Sequence, residues 1–252
     1  MQSFKHSAAP YRPCAVIPTY NNTATIESTV RGLRRHLNDV IVVDDGSDAS
    51  GRGVLQHLEQ TGMAHVVRRD RNGGKGAAVK TGLAVASQLG FTHALQIDAD
   101  GQHDLTDVPK FLQASMKNPE ALILGTPLFD ASAPKARLWG RRLTNFWVRV
   151  QTRSRSIADA LCGFRIYPVA AALAANAKSN RMDFDPEIAV RMVWNGAKVI
   201  NIATRVRYLG QSEGGVSHFR PLRDNLLVSW LHTRLTLVSV FHLVFHKQAT
   251  SD

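Results

Sequence analysis

Short apolar runs alternate with helical stretches through the first half of this chain, and that alternation is what most restricts its fold. Cys14 to Pro18, Val40 to Val43, Ala64 to Val67 and Thr92 to Ile97 are short apolar runs that read as strands. Between the first two, Thr23 to Leu37 sets Ile26, Val30, Leu33 and Leu37 at helical spacing. Helical stretches also cover Gly51 to Gln60, Gly76 to Leu89 and Asp107 to Met116, and a further strand covers Ala121 to Leu124. The pattern predicts an α/β fold with a mostly parallel, doubly wound sheet and helices on both faces. With 252 residues, 44% of them apolar, the chain can build one large domain with an appendage. The expected division is a tail over 1–11, the domain over 12–210 and a helical, membrane-proximal segment over 211–252.

Three strands end in polar loops that a parallel sheet would gather on one edge, where open α/β sheets bind their ligands. The loops are Pro18-Thr19-Tyr20-Asn21-Asn22, Asp44-Asp45-Gly46-Ser47 and Asp98-Ala99-Asp100-Gly101-Gln102-His103. Asp98 and Asp100, with the Gln102 amide beyond, suit a hard divalent cation, Mg²⁺ or Mn²⁺, that shares its coordination with substrate phosphates. An Asx turn capping the next helix is the other reading of the same residues. Asp44 or Asp45 can accept hydrogen bonds from a nucleobase or ribose, and Tyr20 can meet the same nucleoside. Gly46 and Ser47 equally support a simple capped turn. Arg71-Asn72-Gly73-Gly74-Lys75-Gly76 adds a glycine loop before a helix, where backbone N–H groups can meet an anion and Lys75 a phosphate or the carboxylates neighbouring the nucleotide. The spacing is not that of a P-loop.

The formal charge is +11 and unevenly spread. Lys135, Arg137, Arg141, Arg142, Arg149, Arg153, Arg155 and Arg165 face one acid, Asp159, in that stretch. A phosphate-bearing substrate or an anionic membrane suits such a stripe; with no nucleic-acid-binding motif, no nucleic acid partner is expected. Cys14 and Cys162 lie far apart in apolar surroundings and read as buried thiols. The N-terminal residues show no secretory signal, so the expected location is the cytoplasm.

Farther on, Arg181-Met182-Asp183-Phe184-Asp185-Pro186-Glu187 reads as a helix start near Pro186, with Asp185 as cap. If a hydroxyl is to be activated here, Asp185 or Glu187 is the natural general base; an ionised phosphate needs none. From Asn225 to His246, Leu227, Trp230, Leu231, Leu235, Val238, Phe241 and Phe245 recur at helical spacing. Arg234 near the centre argues against a spanning helix. An interfacial helix lying peripherally on a membrane, a helix packed on the domain, and a homodimer contact all fit this stretch.

Taken with Cys162-Gly163-Phe164-Arg165, these motifs resemble family 2 glycosyltransferases of the GT-A fold, in particular the dolichyl- or polyprenyl-phosphate sugar synthases. The resemblance covers roughly residues 12 to 210. It implies inverting transfer from a nucleotide-diphosphate sugar to a lipid-linked acceptor, with a metal held at Asp98, Asp100 and Gln102. It further implies nucleotide-sugar contacts from Pro18, Tyr20, Asn22, Asp44, Asp45, Lys75 and the Asp98-Ala99-Asp100 segment, with Asp100 counted as catalytic. Arg142, Arg165 and His218 would serve the acceptor phosphate; the other reading of Arg165 is a structural residue paired with a carboxylate such as Asp159. Asn22, Pro127 and His218 depart from the polyprenyl-phosphate pattern, which often has Glu, Arg and Lys there. Two other functions share these features: a sugar-nucleotide transferase, which releases pyrophosphate, and a catalytically silent nucleotide-sugar-binding protein.

Overall fold

A computed structural model describes residues 10–129, 135–207 and 221–246, without the side chains of 135–137, 221–225 and 242–246. His218, expected at the acceptor, lies outside the described residues. One seven-stranded sheet runs in the order β3-β2-β1-β4-β6-β5-β7. Its strands are β1 (Pro13–Thr19), β2 (Val40–Asp44), β3 (His65–Arg68), β4 (His93–Gln96), β5 (Leu122–Phe129), β6 (Arg165–Pro168) and β7 (Val199–Val206). All are parallel except β6, which runs antiparallel between β4 and β5. β1 is an interior strand, pairing Ala15 with Val40 on one side and with Leu95 on the other.

Because successive residues of a strand face opposite sides, β1 feeds two cores. Cys14 and Val16 join one, Ala15 and Ile17 the other. The second core is covered by α1 (Ile26–Leu33), α2 (Ala49–Gln60) and α4 (Val108–Lys117). On the first lie α3 (Lys75–Gln88), α5 (Lys135–Thr152), α6 (Val169–Ala174), α7 (Phe184–Trp194) and α8 (Pro221–His246). α3 approaches the sheet closely at Gly82, where a β-carbon would stand 2.4 Å from Val16 Cγ1.

The expected fold class holds, with adjustments. α1 is shorter than Thr23 to Leu37, because turns occupy 23–25 and 34–36. α7 begins at Phe184 with Asp183 at its cap, so Asp185 lies inside the first turn instead of capping it. Cys14 and Cys162 are free and buried, and burial pushes each thiol up to about 12.

The C-terminal helix packs on the domain. Leu231 and Leu235 of α8 enter the first core. Gln151 of α5 donates to the His232 carbonyl (3.0 Å), and its own carbonyl accepts from Ser239 Oγ (3.0 Å). Trp230 and Phe241, expected on the same apolar stripe, are exposed. α8 is apolar on two sides, and no helix among the described residues is long and apolar enough to cross a membrane.

His232 makes this packing pH-sensitive. Burial lowers its pKa to about 4, against about 6.5 for an unfolded histidine. The unfolded chain therefore takes up the proton first. The contribution is complete above about pH 6.5 and is lost as pH falls toward 4. Denaturant midpoints should drop over that window in the wild type and drop less in His232→Gln.

Candidate active site

The exits of β1, β2 and β4 meet on one edge and are stitched together by short polar side chains. Asn21, at φ 55°, donates its N–H to Ser47 Oγ (3.0 Å) and accepts from the Asp48 N–H (3.0 Å). Pro18 is buried at the end of β1, and Tyr20 is half-buried in the loop beyond. Asn22 is buried and accepts the Tyr20 N–H through Oδ1 (3.3 Å). Its side chain shapes the loop in which the sequence expects a nucleotide-sugar contact. Asp44, also buried, accepts the Ser47 N–H (2.9 Å), so the capped-turn reading describes it. Ala99 is buried as well, its carbonyl taken by Thr25 Oγ1 (2.6 Å).

Asp45 organises the glycine loop. Its carboxylate accepts the N–H groups of Gly73 (3.0 Å) and Gly74 (2.7 Å) and pairs with Arg69. Gly74, at φ 98°, then turns the chain into α3. That places Lys75 at the first position of the helix, with Nζ 2.7 Å from Asp98 Oδ1 and 2.7 Å from Asp185 Oδ2. Of the two partners the sequence allowed Lys75, a phosphate or the carboxylates neighbouring the nucleotide, the structure shows carboxylates, from two distant segments.

Burial alone would strip the Lys75 proton, but Asp185 and Asp98 outweigh it and hold its pKa above the ordinary lysine value. Burial likewise opposes ionisation of Asp98, yet Lys75 and His103 hold its carboxyl well below the usual range. Asp100 moves upward, through burial and then through the like charge of Asp98. It also accepts the Gln102 N–H (3.1 Å). His103 lies with Nε2 4.0 Å from Asp98, and its buried Nδ1 has no hydrogen-bond partner.

Gly163 completes the Asp98 seat. A β-carbon there would stand 2.1 Å from Asp98 Oδ2, so the carboxylate rests against bare backbone. Gly163→Ala should displace Asp98 from Lys75 while keeping the fold. The expected result is a loss of divalent-cation binding of roughly tenfold or more, followed by Mn²⁺ titration, with an unchanged circular dichroism spectrum.

Arg165 and Glu187 require correction. Arg165 is fully buried and donates to the carbonyls of Cys162 (2.6 Å), Ala160 (3.2 Å) and Asp185 (3.0 Å). It braces the ends of β6 and α7 and presents no group to an acceptor. Glu187 is fully buried too, accepting the Ser179 N–H (2.6 Å) and pairing with Arg191 (2.7 Å) and Arg234 (3.0 Å). It is a structural anchor, not a base. Asp185 faces the site but is held by Lys75 and by Gln96 Nε2 (3.1 Å). Arg142 is exposed on α5, whereas its neighbour Arg141 turns inward to Asp159.

Residues 14–172 match the protein-family model described as Glycosyl transferase family 2. This chain belongs to glycosyl transferase family 2. Among family relatives is a UDP-N-acetylglucosamine–dolichyl-phosphate N-acetylglucosaminyltransferase of Methanococcus voltae, 30% identical over 125 residues. That match takes in 44% of this chain and 50% of the relative, half of that protein's length. A polyprenol monophosphomannose synthase of Mycolicibacterium smegmatis is 26% identical over 83% of each chain. Glucosyl-3-phosphoglycerate synthase of Mycobacterium tuberculosis, solved with Mn²⁺, UDP and phosphoglyceric acid, superposes with a TM-score of 0.67. It is 16% identical, covering 91% of this chain and 78% of the other, and shows the shared GT-A fold.

Within this family-2 chain the donor set fits a hard divalent cation. Burial, and then the like charge of Asp98, raises Asp100, a cost that a bound cation would offset. Among the described residues no group of three or more His, Cys, Asp or Glu gathers to cage a metal. Two carboxylates with open positions for substrate phosphates is the arrangement Mg²⁺ favours. Sequence motifs pointed to Asp98 and Asp100; the roles of Arg69 and Gly163 depend on partners brought in from elsewhere in the chain.

Proposed function

We propose that this glycosyltransferase moves a sugar, with inversion, from a nucleotide-diphosphate sugar to the phosphate of a polyprenyl-phosphate acceptor. The observation that carries the acceptor class is the state of the nearby carboxylates: Asp185 is bound by Lys75, and Glu187 is buried between two arginines. Neither is placed as a base, and an ionised phosphate needs none. Relatives named for dolichyl-phosphate and polyprenol substrates support the same reading.

In this scheme Pro18 and Tyr20 border the nucleoside, and Asp45 shapes the glycine loop beside it. Asp98 and Asp100, with Gln102 next to them, would hold Mg²⁺ or Mn²⁺. When bound, the cation neutralises charge developing on the diphosphate. Lys75 keeps a fixed positive charge beside Asp98 for the same stage of the reaction. An acceptor phosphate oxygen attacks the anomeric carbon. The bond to the nucleoside diphosphate breaks on the opposite face, its electron pair leaves with the diphosphate, and no proton transfer is required. Arg142 is the candidate acceptor arginine. A lipid-linked acceptor implies work at a membrane surface; the cytoplasmic face, and the outward side of α8 as peripheral contact, belong to this proposal.

The test compares polyprenyl phosphate with dephosphorylated polyprenol, after a thermal-shift screen of UDP-, GDP- and CMP-sugars with Mn²⁺ selects the donor. Transfer to the phosphate alone, with nucleoside diphosphate released and abolition by EDTA, is the expected result. Equal use of the alcohol would overturn the acceptor class, and release of pyrophosphate would identify a sugar-nucleotide transferase.

A further inference from the structure

Gln96 and Tyr167 are polar side chains with no exposed surface, set behind the Asp98 motif. Gln96 ends β4, and its register partner on β6 is Arg165, two residues before Tyr167. Residues two apart on a strand share a face, so Gln96 and Tyr167 are diagonal neighbours on one side of the sheet. Tyr167 belongs to the first core, on the side that α3 and α7 cover. The hydrogen bonds of the pair run in one direction. The Tyr167 hydroxyl donates to Gln96 Oε1 (2.9 Å), and Gln96 Nε2 donates to Asp185 Oδ1 (3.1 Å). Asp185 Oδ2 holds Lys75 Nζ (2.7 Å), which on its other side meets Asp98 Oδ1 (2.7 Å).

The chemistry of each group fixes this order. A carboxylate can only accept, so the Gln96 amide must turn its NH₂ toward Asp185 and its oxygen toward Tyr167. Burial holds the Tyr167 phenol above its ordinary pKa, so it keeps the proton it donates. One oxygen of Asp185 is thereby pinned from inside the core while the other holds Lys75. An apolar pair would fill the same space without the cost of burying an amide and a phenol. We propose that Gln96 and Tyr167 are positioning residues, which through Asp185 fix the Lys75 ammonium beside Asp98. Without them the Asp185 carboxylate turns about its own torsions, and Lys75 loses its set place. The consequence for rate rests on the part given to Lys75 in the proposed reaction; the placement of Lys75 is measured with no substrate present.

In the full chain the Lys75 ammonium is followed by its ¹H–¹⁵N NMR signal, identified by its loss in Lys75→Arg. Gln96→Met keeps the length of the side chain and removes both hydrogen bonds; Tyr167→Phe removes only the hydroxyl. The expected result is a displaced or broadened Lys75 signal in Gln96→Met and a smaller change of the same kind in Tyr167→Phe. In transfer assays kcat should fall roughly tenfold or more in Gln96→Met, the scale of a hydrogen bond to a charged group, with the donor KM within about twofold of wild type. The double variant separates positioning from stability. Each single change leaves a buried polar group unpaired, whereas the double removes hydroxyl and amide together, so its unfolding midpoint should recover relative to Gln96→Met. Its kcat should stay low. Recovery of kcat along with stability would show a purely structural pair and overturn the proposal, as would an unchanged Lys75 signal in Gln96→Met. If the wild type transfers nothing to polyprenyl phosphate, the proposed reaction fails, and the Lys75 signals still decide the placement.

Discussion

Asp100→Asn is expected to abolish divalent-cation-dependent transfer while leaving the metal-free protein as stable as the wild type, or slightly more so. Asp100 is a carboxylate whose ionisation the folded state resists, because it is buried and stands beside Asp98. Removing its charge removes that repulsion, and an asparagine keeps an oxygen for the Gln102 N–H. The same change deletes one of the two anionic ligands proposed for the cation. A loss of roughly a thousandfold or more in transfer corresponds to about 4 kcal/mol of transition-state stabilisation, within the several kcal/mol a metal centre supplies. Thermal unfolding checks both halves. Cation and donor together at a hundredfold excess over Kd should stabilise the wild type by about 2.7 kcal/mol and the variant hardly at all. An active, well-folded Asp100→Asn would remove the metal assignment.

Glu187→Ala should have the largest effect on stability. Glu187 is fully buried, with its oxygens shared among the Ser179 N–H, Arg191 and Arg234. Truncating it leaves two guanidinium groups facing a hole where their counter-charge stood. Breaking a buried pair in this way costs on the order of 3–5 kcal/mol, much of the margin of an ordinary domain. Denaturant unfolding should show the loss directly, and α8 should loosen with it, because Arg234 belongs to that helix. Glu187→Gln should cost less, since an amide oxygen can still accept from Ser179. The wild type should show the matching acid dependence. Although burial opposes ionisation, the Ser179 and Arg191 hydrogen bonds hold the Glu187 pKa below the ordinary glutamate value. Its contribution is thus present above about pH 4.3 and is lost as pH falls below that toward the folded value. A Glu187→Gln protein that keeps full stability but loses transfer would restore Glu187 as a base.

These two residues show how differently the parts of the site could be read from the sequence. Asp98 and Asp100 were legible because the signal is local: an apolar strand, a turn and two carboxylates within one short segment. Glu187 and Asp185 share a helix start with ordinary capping chemistry, and nothing in that segment distinguishes a base from an anchor. Their roles depend on Arg234 and Lys75, which come from other elements. Arg165 misled for a related reason. An arginine in a basic stretch suggests an anion, but its place as the first residue of β6 puts it inside the sheet, among main-chain carbonyls.

By itself the sequence determined the alternating α/β architecture, the edge on which three loops meet and the pair of acids at the centre. Hydrophobic period and turn chemistry are properties of neighbouring residues, so they survive in one dimension. Tertiary structure alone decided the antiparallel insertion of β6, because a strand's direction is set by the neighbours it pairs with. It also decided the Lys75 bridge between Asp98 and Asp185, and the division of α8 into a packed side and an open one. A helix rich in leucine, tryptophan and phenylalanine specifies that it must bury apolar surface. Which side meets the protein follows from where Gln151 and Glu187 wait to receive it.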